Sequence, residues 1–247
     1  MTLIRDTWLV FTRQMTLVLR NPVWLIVGLM QPLYFLLLFG PLLKNALHTS
    51  SAEAYRFFVP GLLVQLAMFG TLFVGFGLIA ELRAGVIERM RVTPVSRLSL
   101  LLGRSGRDVV TLLAQAALLT ALSIPFGLTV RFGDLVLAFA LLGLIALMLS
   151  AVSYALALKL RSEDALAPLM NAVSMPILLL SGILLPLTGW LKHVGDFNPF
   201  TYAVNGARAL FNGHPGDNAV WQSLIIVTVL AVAAAVWAAR SFARSVR

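Results

Sequence analysis

The sequence contains 247 residues, of which 60% are apolar and 12% are charged, and its net charge is +9. A water-soluble domain carries about 25% charged residues, because its surface must be hydrated. This chain has about half that proportion of charged residues, which predicts that lipid solvates much of it. The basic residues stand between long apolar runs, which is typical of membrane topology and argues against nucleic acid as a partner. The sequence has no cysteine, which excludes disulfides and thiolate metal sites.

The first 21 residues show apolar side chains at helical spacing with basic residues between them. Arg5, Arg13 and Arg20 alternate with the apolar positions. This pattern predicts an amphipathic helix over residues 1–21 that lies in the headgroup layer of a membrane. The apolar positions are Leu3, Trp8, Phe11, Met15 and Val18.

Six apolar stretches follow, each close to the ~20 residues that a helix needs to cross the hydrocarbon of a bilayer. No charged residue lies inside any of them. The sequence therefore predicts an all-α integral membrane protein that forms one domain over residues 1–247. The predicted transmembrane helices span residues 23–43, 57–80, 109–130, 135–158, 165–186 and 219–239.

The distribution of lysine and arginine between these stretches predicts the orientation of the chain. With the N-terminus inside, fourteen of the 19 lysines and arginines lie in cytoplasmic segments and five lie outside. This asymmetry predicts a multi-pass protein of the cell membrane, plasma or inner, with both termini in the cytoplasm.

Two connections are too apolar to be simple loops. In the cytoplasmic connection, Val86, Ile87 and Met90 form a short apolar stripe, which Thr93-Pro94 ends. This stripe predicts a short amphipathic helix on the cytoplasmic side. In the outer connection over residues 187–213, Asn198-Pro199 begins a helix with apolar residues at steps of three and four. We expect this segment to dip back into the outer leaflet against protein.

No ionisable side chain falls inside a predicted span, although intramembrane enzymes and ion-coupled carriers require such groups. The glycine-rich run at residues 103–108 lacks the Lys-Ser/Thr of a phosphate-binding loop. If ATP powers the protein, another chain must bind it. The sequence therefore favours a transport subunit that is not itself an enzyme. An ion-coupled secondary carrier and a non-transporting scaffold are the alternatives.

The cytoplasmic connection resembles the corresponding segment of ABC-2-type permeases, the membrane subunits of ATP-binding-cassette exporters. The residues that carry this resemblance are Gly85-Val86-Ile87-Glu88-Arg89-Met90, Thr93-Pro94-Val95-Ser96-Arg97 and Leu102-Gly103-Arg104. The outer segment, with Asn198, Pro199, Tyr202 and Arg208, is similar to the family's turn between two re-entrant helices. The resemblance covers essentially the whole chain and is greatest to daunorubicin-resistance-type exporters of drugs and lipids.

This resemblance implies the fold of a type V ABC exporter, in which residues 84–93 form a coupling helix and residues 187–213 an outer re-entrant pair. It implies a lipid-embedded dimer with a second permease, identical or sibling, and two copies of an ABC ATP-binding subunit. ATP and Mg²⁺ are expected on those subunits, and no cofactor is expected on this chain. The implied cargo is a hydrophobic drug, a lipid or a glycolipid that leaves the cytoplasm or the inner leaflet.

In this family the second and fifth spans line the transport path at the dimer interface. Amide groups with aromatic and thioether surface between them suit a large apolar cargo. Packing between neighbouring helices is the alternative role for such side chains. The candidate cargo contacts are Gln65, Phe69 and Phe73 in the second predicted span, and Asn171, Ser174 and Met175 in the fifth.

Overall fold

A computed structural model describes residues 3–47, 50–85, 96–184 and 187–245. The regular structure in these residues consists of ten α-helices and one short 3₁₀-helix. The all-α class predicted from the sequence is therefore confirmed.

The helices follow one another with short connections. The first five are α1 (Leu3–Arg20), α2 (Val23–Leu47), α3 (Ser51–Leu72), α4 (Gly75–Arg83) and α5 (Arg97–Ser123). After the 3₁₀-helix Ile124–Phe126 come α6 (Phe132–Leu160), α7 (Glu163–Leu179), α8 (Trp190–Gly195), α9 (Pro199–Phe211) and α10 (Asn218–Ser245).

Five segments of the described chain are helical, long and apolar enough to cross a membrane. They are Leu25–Leu42, Ser51–Arg83, Leu98–Phe126, Phe132–Leu160 and Asn218–Phe242. α7 has 17 residues, which at 1.5 Å per residue is about 25 Å, slightly less than the ~30 Å of a hydrocarbon core. Integral membrane character is thus supported, and the six-span layout stays a prediction.

Several predicted span boundaries differ from the observed helix ends, most of all at the beginning of α5. α5 begins at Arg97 instead of residue 109, because Ser96 caps it: the Ser96 hydroxyl accepts the Ser99 N–H at 3.1 Å. α7 ends at Leu179 instead of residue 186. Apolar composition continues beyond that point, but Gly182 takes a positive φ of 70° that an α-helix does not contain.

α6 is the central helix of the bundle. It packs against α3, α4, α5, α9 and α10. It is apolar on all sides, with a mean hydropathy of 2.8 over Phe132–Leu160, as expected for a helix enclosed by other helices and lipid. Small buried residues such as Ala146, Ala155 and Ala157 let neighbouring helices approach it closely.

A single side chain of α6 holds α3 and α4 together across the break between them. The Ser153 hydroxyl donates to the Leu72 carbonyl at 2.6 Å and accepts the Gly75 N–H at 2.9 Å. A Cβ atom on Gly75 would lie 2.7 Å from the Ser153 carbonyl oxygen, so glycine is required for this approach. α3 and α4 therefore form one bent segment that is fixed to α6.

α1 packs along α5 through small residues. A Cβ atom on Gly103 of α5 would lie 2.7 Å from Val10, so only glycine lets the two helices meet. The face of α1 turned to the bundle carries Asp6, Val10 and Gln14, whereas Trp8 is exposed. The helix predicted over residues 1–21 is present, and its position in the headgroup layer stays a prediction.

Candidate functional site

Charged side chains gather at the end of the bundle where the chain leaves α4 and later enters α5. Glu81 of α4 forms an ion pair with Arg104 of α5, whose side chain is only 3% exposed. Residues 86–95 lie between the two helices in sequence, so this pair joins the two helices that flank the 86–95 connection. Removing one partner of a buried pair typically costs about 3–5 kcal/mol, because a charge is left uncompensated.

Three further residues extend this charge network from α5 into α6. The Tyr154 hydroxyl donates to the Asp108 carboxylate, and Arg107 Nη2 lies 2.8 Å from the other oxygen of that carboxylate. Tyr154 is fully buried. One helical turn away, the Ser150 hydroxyl donates to the Ser105 hydroxyl at 3.3 Å. The network therefore fixes α5 to the central helix.

α1 joins the same network through its polar face. Gln14 Nε2 donates to Glu81 Oε1 at 3.1 Å. The Ser99 hydroxyl donates to the Leu3 carbonyl at 3.3 Å, which ties the beginning of α5 to the beginning of α1. The network thus connects α1, α4, α5 and α6 around the ends of the 86–95 connection.

The sequence pattern places Arg104 and Arg107 in the cytoplasmic connection before residue 109, whereas the structure places both residues within α5. Because α5 starts at the Ser96 cap, both arginines are helical, and Arg104 is buried while Arg107 is 22% exposed. The sequence signals for this arrangement are the Ser96-x-x-Ser99 start and the Gly103-x-x-Gly106 spacing, which offers α1 a smooth helix face.

The predicted coupling helix lies mostly outside the described residues. Ala84 and Gly85 form a turn after α4, with a φ of 64° at Gly85. The role of Gly85 in coupling stays a prediction. The same holds for the predicted coupling residues that come after it. Those outside the described part of the chain are Val86, Ile87, Glu88, Arg89, Met90, Thr93 and Pro94.

At the opposite end of the bundle, the beginning of α9 holds the end of α7. Asn198 Nδ2 donates to the Ile177 carbonyl at 2.9 Å. The Thr201 hydroxyl donates to the Leu180 carbonyl at 3.0 Å. Both carbonyls belong to the last turn of a helix, where no backbone donor follows. The outer segment therefore caps α7 with side chains.

Pro199 and Tyr202 fix the start of α9 itself. Pro199 is its first residue, where a missing N–H removes no helical hydrogen bond. The preceding Asn198 accepts the Phe200 N–H at 3.0 Å. The Tyr202 hydroxyl donates to the Asp196 carbonyl at 3.0 Å, which closes the turn between α8 and α9.

Arg208 joins three parts of the chain at this end. Its Nη2 donates to the carbonyls of Gly182 at 2.8 Å and Ile183 at 3.2 Å, and its Nε donates to the Phe57 carbonyl at 3.1 Å. The guanidinium lies 3.8 Å from the centre of the Phe57 ring. Burial lowers the pKa of Arg208 to about 10, so the group stays charged at neutral pH. The structure thus brings Asn198, Pro199, Tyr202 and Arg208 into one clamp at this end of the bundle.

The candidate cargo contacts of the second span lie together. Gln65, Phe69 and Phe73 line a cavity of about 270 Å³ between α2 and α3. The two phenylalanine rings stack with their centres 6.3 Å apart. Cargo contact by these residues stays a prediction.

The candidate contacts of the fifth span do not share one surface. Ser174 is buried and lines a second cavity, of about 300 Å³, between α3, α6 and α7. Asn171 and Met175 lie on the exposed face of α7. Within one chain, Gln65, Phe69 and Phe73 line one cavity, whereas only Ser174 of the second set lines the other.

No group of three or more His, Cys, Asp or Glu side chains that could hold a metal ion occurs among the described residues. The buried charges instead join helices to one another, and the cavities are lined by apolar and uncharged side chains. Fold and site together define a multi-pass helical membrane protein with uncharged cavities between its helices.

The chain belongs to the ABC-2 type transporter family, whose family model matches residues 5–212. It is therefore a membrane permease of an ABC transporter, and this family implies an ABC ATPase as its partner.

Curated relatives agree with this assignment. The chain is 30% identical over 222 residues to the daunorubicin resistance ABC transporter permease protein DrrB1 of Streptomyces coeruleorubidus, covering 88% of this chain and 77% of the relative. It is 30% identical over 217 residues to the protein named "Putative transport permease ycf38" of Cyanophora paradoxa, covering 85% and 75%. The protein of the same name from Pyropia yezoensis is 29% identical over 219 residues, again with 85% and 75% covered.

Proposed function

We propose that the chain is the membrane half of an ATP-driven exporter that moves a hydrophobic drug, a lipid or a glycolipid out of the cytoplasm or the inner leaflet. Family membership favours an ATP-driven transporter over an ion-coupled carrier or a scaffold. DrrB1 is named for daunorubicin resistance, which supports a hydrophobic cargo and outward movement. The uncharged lining of both cavities suits such a cargo.

The observation that carries this proposal is the ion pair between Glu81 and Arg104 at the base of the 86–95 connection. A coupling segment transmits movement only if its two ends are attached to rigid elements. Glu81 belongs to the bent α3–α4 segment, and Arg104 belongs to α5, which is joined to α1 and α6. A partner that displaces residues 86–95 therefore moves four helices together.

The ABC ATPase must supply free energy to switch the transport cavity between two states, and the Glu81–Arg104 pair helps to transmit the movement. Converting a two-state cavity from 1:99 to 99:1 requires about 5.5 kcal/mol of differential binding by the partner. Breaking a buried ion pair by loss of one partner costs about 3–5 kcal/mol. Separating Glu81 from Arg104 would leave buried charge uncompensated, so the pair favours joint movement of α4 and α5.

We propose six spans, with α7 as the fifth, because α7 connects the two ends of the bundle. Arg83, at the end of α4, lies 3.4 Å from Glu163 in the first turn of α7. Beyond the other end of α7, Gly182 is joined through Arg208 to Phe57, near the beginning of α3. The beginning of α3 and the end of α4 terminate one spanning segment, so they lie on opposite sides.

This layout supports the outer position of α8 and α9, which follow α7. They would form the re-entrant pair, and the charge asymmetry supports placing α1, the 86–95 connection and the end of α10 in the cytoplasm. α2 and α7 present exposed apolar side chains to lipid or to a second permease, among them Leu38 and Leu179. We propose a pair of permeases, identical or sibling, with two ATP-binding subunits that hold ATP and Mg²⁺.

Reconstitution tests this function directly. The chain is purified with its ABC ATPase, placed in liposomes, and assayed for movement of daunorubicin and of a headgroup-labelled lipid. We expect ATP-dependent transport that stops with a non-hydrolysable ATP analogue and that requires the ATPase. Transport driven by an ion gradient without the ATPase would contradict the proposal, as would failure of the chain to bind any ABC ATPase.

A further inference from the structure

Gln65 is a buried amide that lacks a hydrogen-bond partner within the described part of the chain. It is 1% exposed, and both its Nε2 and its Oε1 are without a partner. It lies near the middle of the Ser51–Arg83 span, at a depth where bulk water does not reach. An unpaired buried amide is destabilising, whereas an apolar side chain of similar shape is not. Glutamine at this position therefore indicates a binding partner that supplies both a donor and an acceptor.

The surroundings of Gln65 form a site that can receive such a partner. Gln65 stands in the wall of the 270 Å³ cavity between α2 and α3. Pro32, in the opposite wall, lies inside α2 and has no N–H, so the carbonyl of Gly28 in the same wall loses its usual helical donor. The cavity wall thus combines the single unpaired amide of Gln65, the carbonyl of Gly28 and the stacked rings of Phe69 and Phe73.

The cavity opens sideways, toward the position of the bilayer. Val27, in its rim, is 52% exposed, and Gln31 beside it is also exposed. The same two residues line a shallow groove of about 380 Å³ along the outer face of α2, together with Tyr34 and Leu38. A molecule dissolved in the membrane therefore meets the groove first and the cavity next.

We infer that the α2–α3 cavity binds an uncharged amphiphile that enters from the bilayer. Its head group would carry a hydroxyl or an amide, which both donates and accepts hydrogen bonds, and would pair with Gln65. Its apolar body would lie against Phe69 and Phe73. A charged head is disfavoured, because none of the residues that line the cavity is charged. The inference rests on the proposed function for its biological meaning, namely that the cavity is an entry site for cargo.

Photolabelling of the full chain in lipid nanodiscs tests this inference without the ATPase. Two probes are compared: a long-chain primary amide that carries a diazirine, and the hydrocarbon of equal length with the same diazirine. We expect the amide to label residues 27–32 and 65–73 about tenfold more than the hydrocarbon, the effect of roughly two neutral hydrogen bonds. Gln65→Leu should abolish that preference. Gln222→Leu, which removes an exposed amide from α10, should leave it unchanged.

Two further measurements make every outcome informative. Val27→Phe, at the rim, should reduce labelling by both probes, because the ring narrows the entrance. Without a ligand, Gln65→Leu should unfold at the same temperature as the wild type or at a higher one, because an unpaired amide has been removed. A lower unfolding temperature, or a failure to fold, would show that the amide has a protein partner and would overturn the inference.

The remaining outcomes separate this inference from the proposed function. Equal labelling by the two probes, or a preference that survives Gln65→Leu, would overturn the inference even if ATP-driven transport is observed. If labelling disappears when two permeases associate, the cavity is filled by the second permease and not by an amphiphile. That outcome would also overturn the inference. If the preference is found but no ABC ATPase binds the chain, the site stands and the proposed function fails.

Discussion

Glu81 and Arg104 are ion-paired with each other, and the chain between them contains the whole 86–95 connection. We predict that Arg104→Met destabilises the protein by about 3–5 kcal/mol, because Glu81 is left without its counter-charge in a partly buried position. The double variant Glu81→Gln/Arg104→Met should recover most of this loss. Thermal unfolding of the purified chain measures both effects.

The matched control for this experiment lies two residues further along α4. Arg83 pairs with Glu163, but these side chains are 57% and 41% exposed. Arg83→Met should therefore change stability by no more than about 1 kcal/mol. Equal losses for Arg83→Met and Arg104→Met would mean that burial of the Glu81–Arg104 pair has no special role.

Glu88 belongs to the predicted coupling helix, outside the described residues. We predict that Glu88→Ala weakens binding of the ABC ATPase and uncouples ATP hydrolysis from transport, while membrane insertion is unaffected because the residue lies outside the predicted spans. Co-purification and transport assays measure these effects. Asp164→Ala, which removes an exposed carboxylate at the beginning of α7, serves as the control. Full transport and full ATPase binding by Glu88→Ala would remove the coupling assignment.

Two glycines of α4 provide a test of the hinge between α3 and α4. Gly75→Ala should destabilise the chain and reduce transport, because its Cβ would lie 2.7 Å from the Ser153 carbonyl oxygen. Gly77→Ala has open space around its Cβ and should be neutral or stabilising by roughly 0.5–1 kcal/mol, since alanine favours helix. Thermal unfolding compares the two. A neutral Gly75→Ala would show that α4 can move away from α6 without loss.

The extent to which the sequence predicts this structure depends on the range of the interactions. Apolar runs of spanning length are a local signal, so they predict α2, the combined α3–α4 segment, α6 and α10, but not the break between α3 and α4. The burial of Arg104 is not local. It depends on Glu81, which lies 23 residues away in sequence, and no apolar period indicates such a pairing.

The candidate path residues illustrate the same limit. Gln65, Phe69 and Phe73 follow a helical period of four, and they do share a cavity. Ser174 and Met175 are neighbours in sequence, yet one is buried and the other is exposed. Both sides of α7 are apolar, so its sequence does not indicate which side faces the bundle. The packing of α7 on α3 and α6 determines that side.

Lysine should not be able to replace Arg208 at the end of the bundle where α9 meets α7. Its guanidinium donates in two directions, from Nε to Phe57 and from Nη2 to Gly182 and Ile183. A single ammonium group cannot reproduce this planar geometry. We predict that Arg208→Lys destabilises the chain by about 2 kcal/mol. Arg131→Lys, at an exposed arginine, is the control, and similar thermal unfolding of both variants would refute the clamp.

The last prediction concerns cargo contact across two permeases. Phe69 lines the α2–α3 cavity, and Asn171 lies on the exposed face of α7, so one chain does not bring them to the same cavity. If a second permease supplies the opposite wall of the path, both residues face cargo. Phe69→Ala and Asn171→Ala should then each change the rate or the selectivity of export while ATP hydrolysis without cargo is retained.

Transport of daunorubicin and of labelled lipid, measured together with ATP hydrolysis, decides this prediction. Ala172→Ser, a small change next to Asn171 on the exposed side of α7, serves as a control for insertion and assembly. If Phe69→Ala alone changes export, cargo uses the α2–α3 cavity and α7 has another role. If both variants lose association with the ATPase, the two residues stabilise the assembly. An unchanged export rate in both would place the cargo path elsewhere, because loss of an aromatic ring or an amide from a contact surface weakens binding of a large apolar ligand.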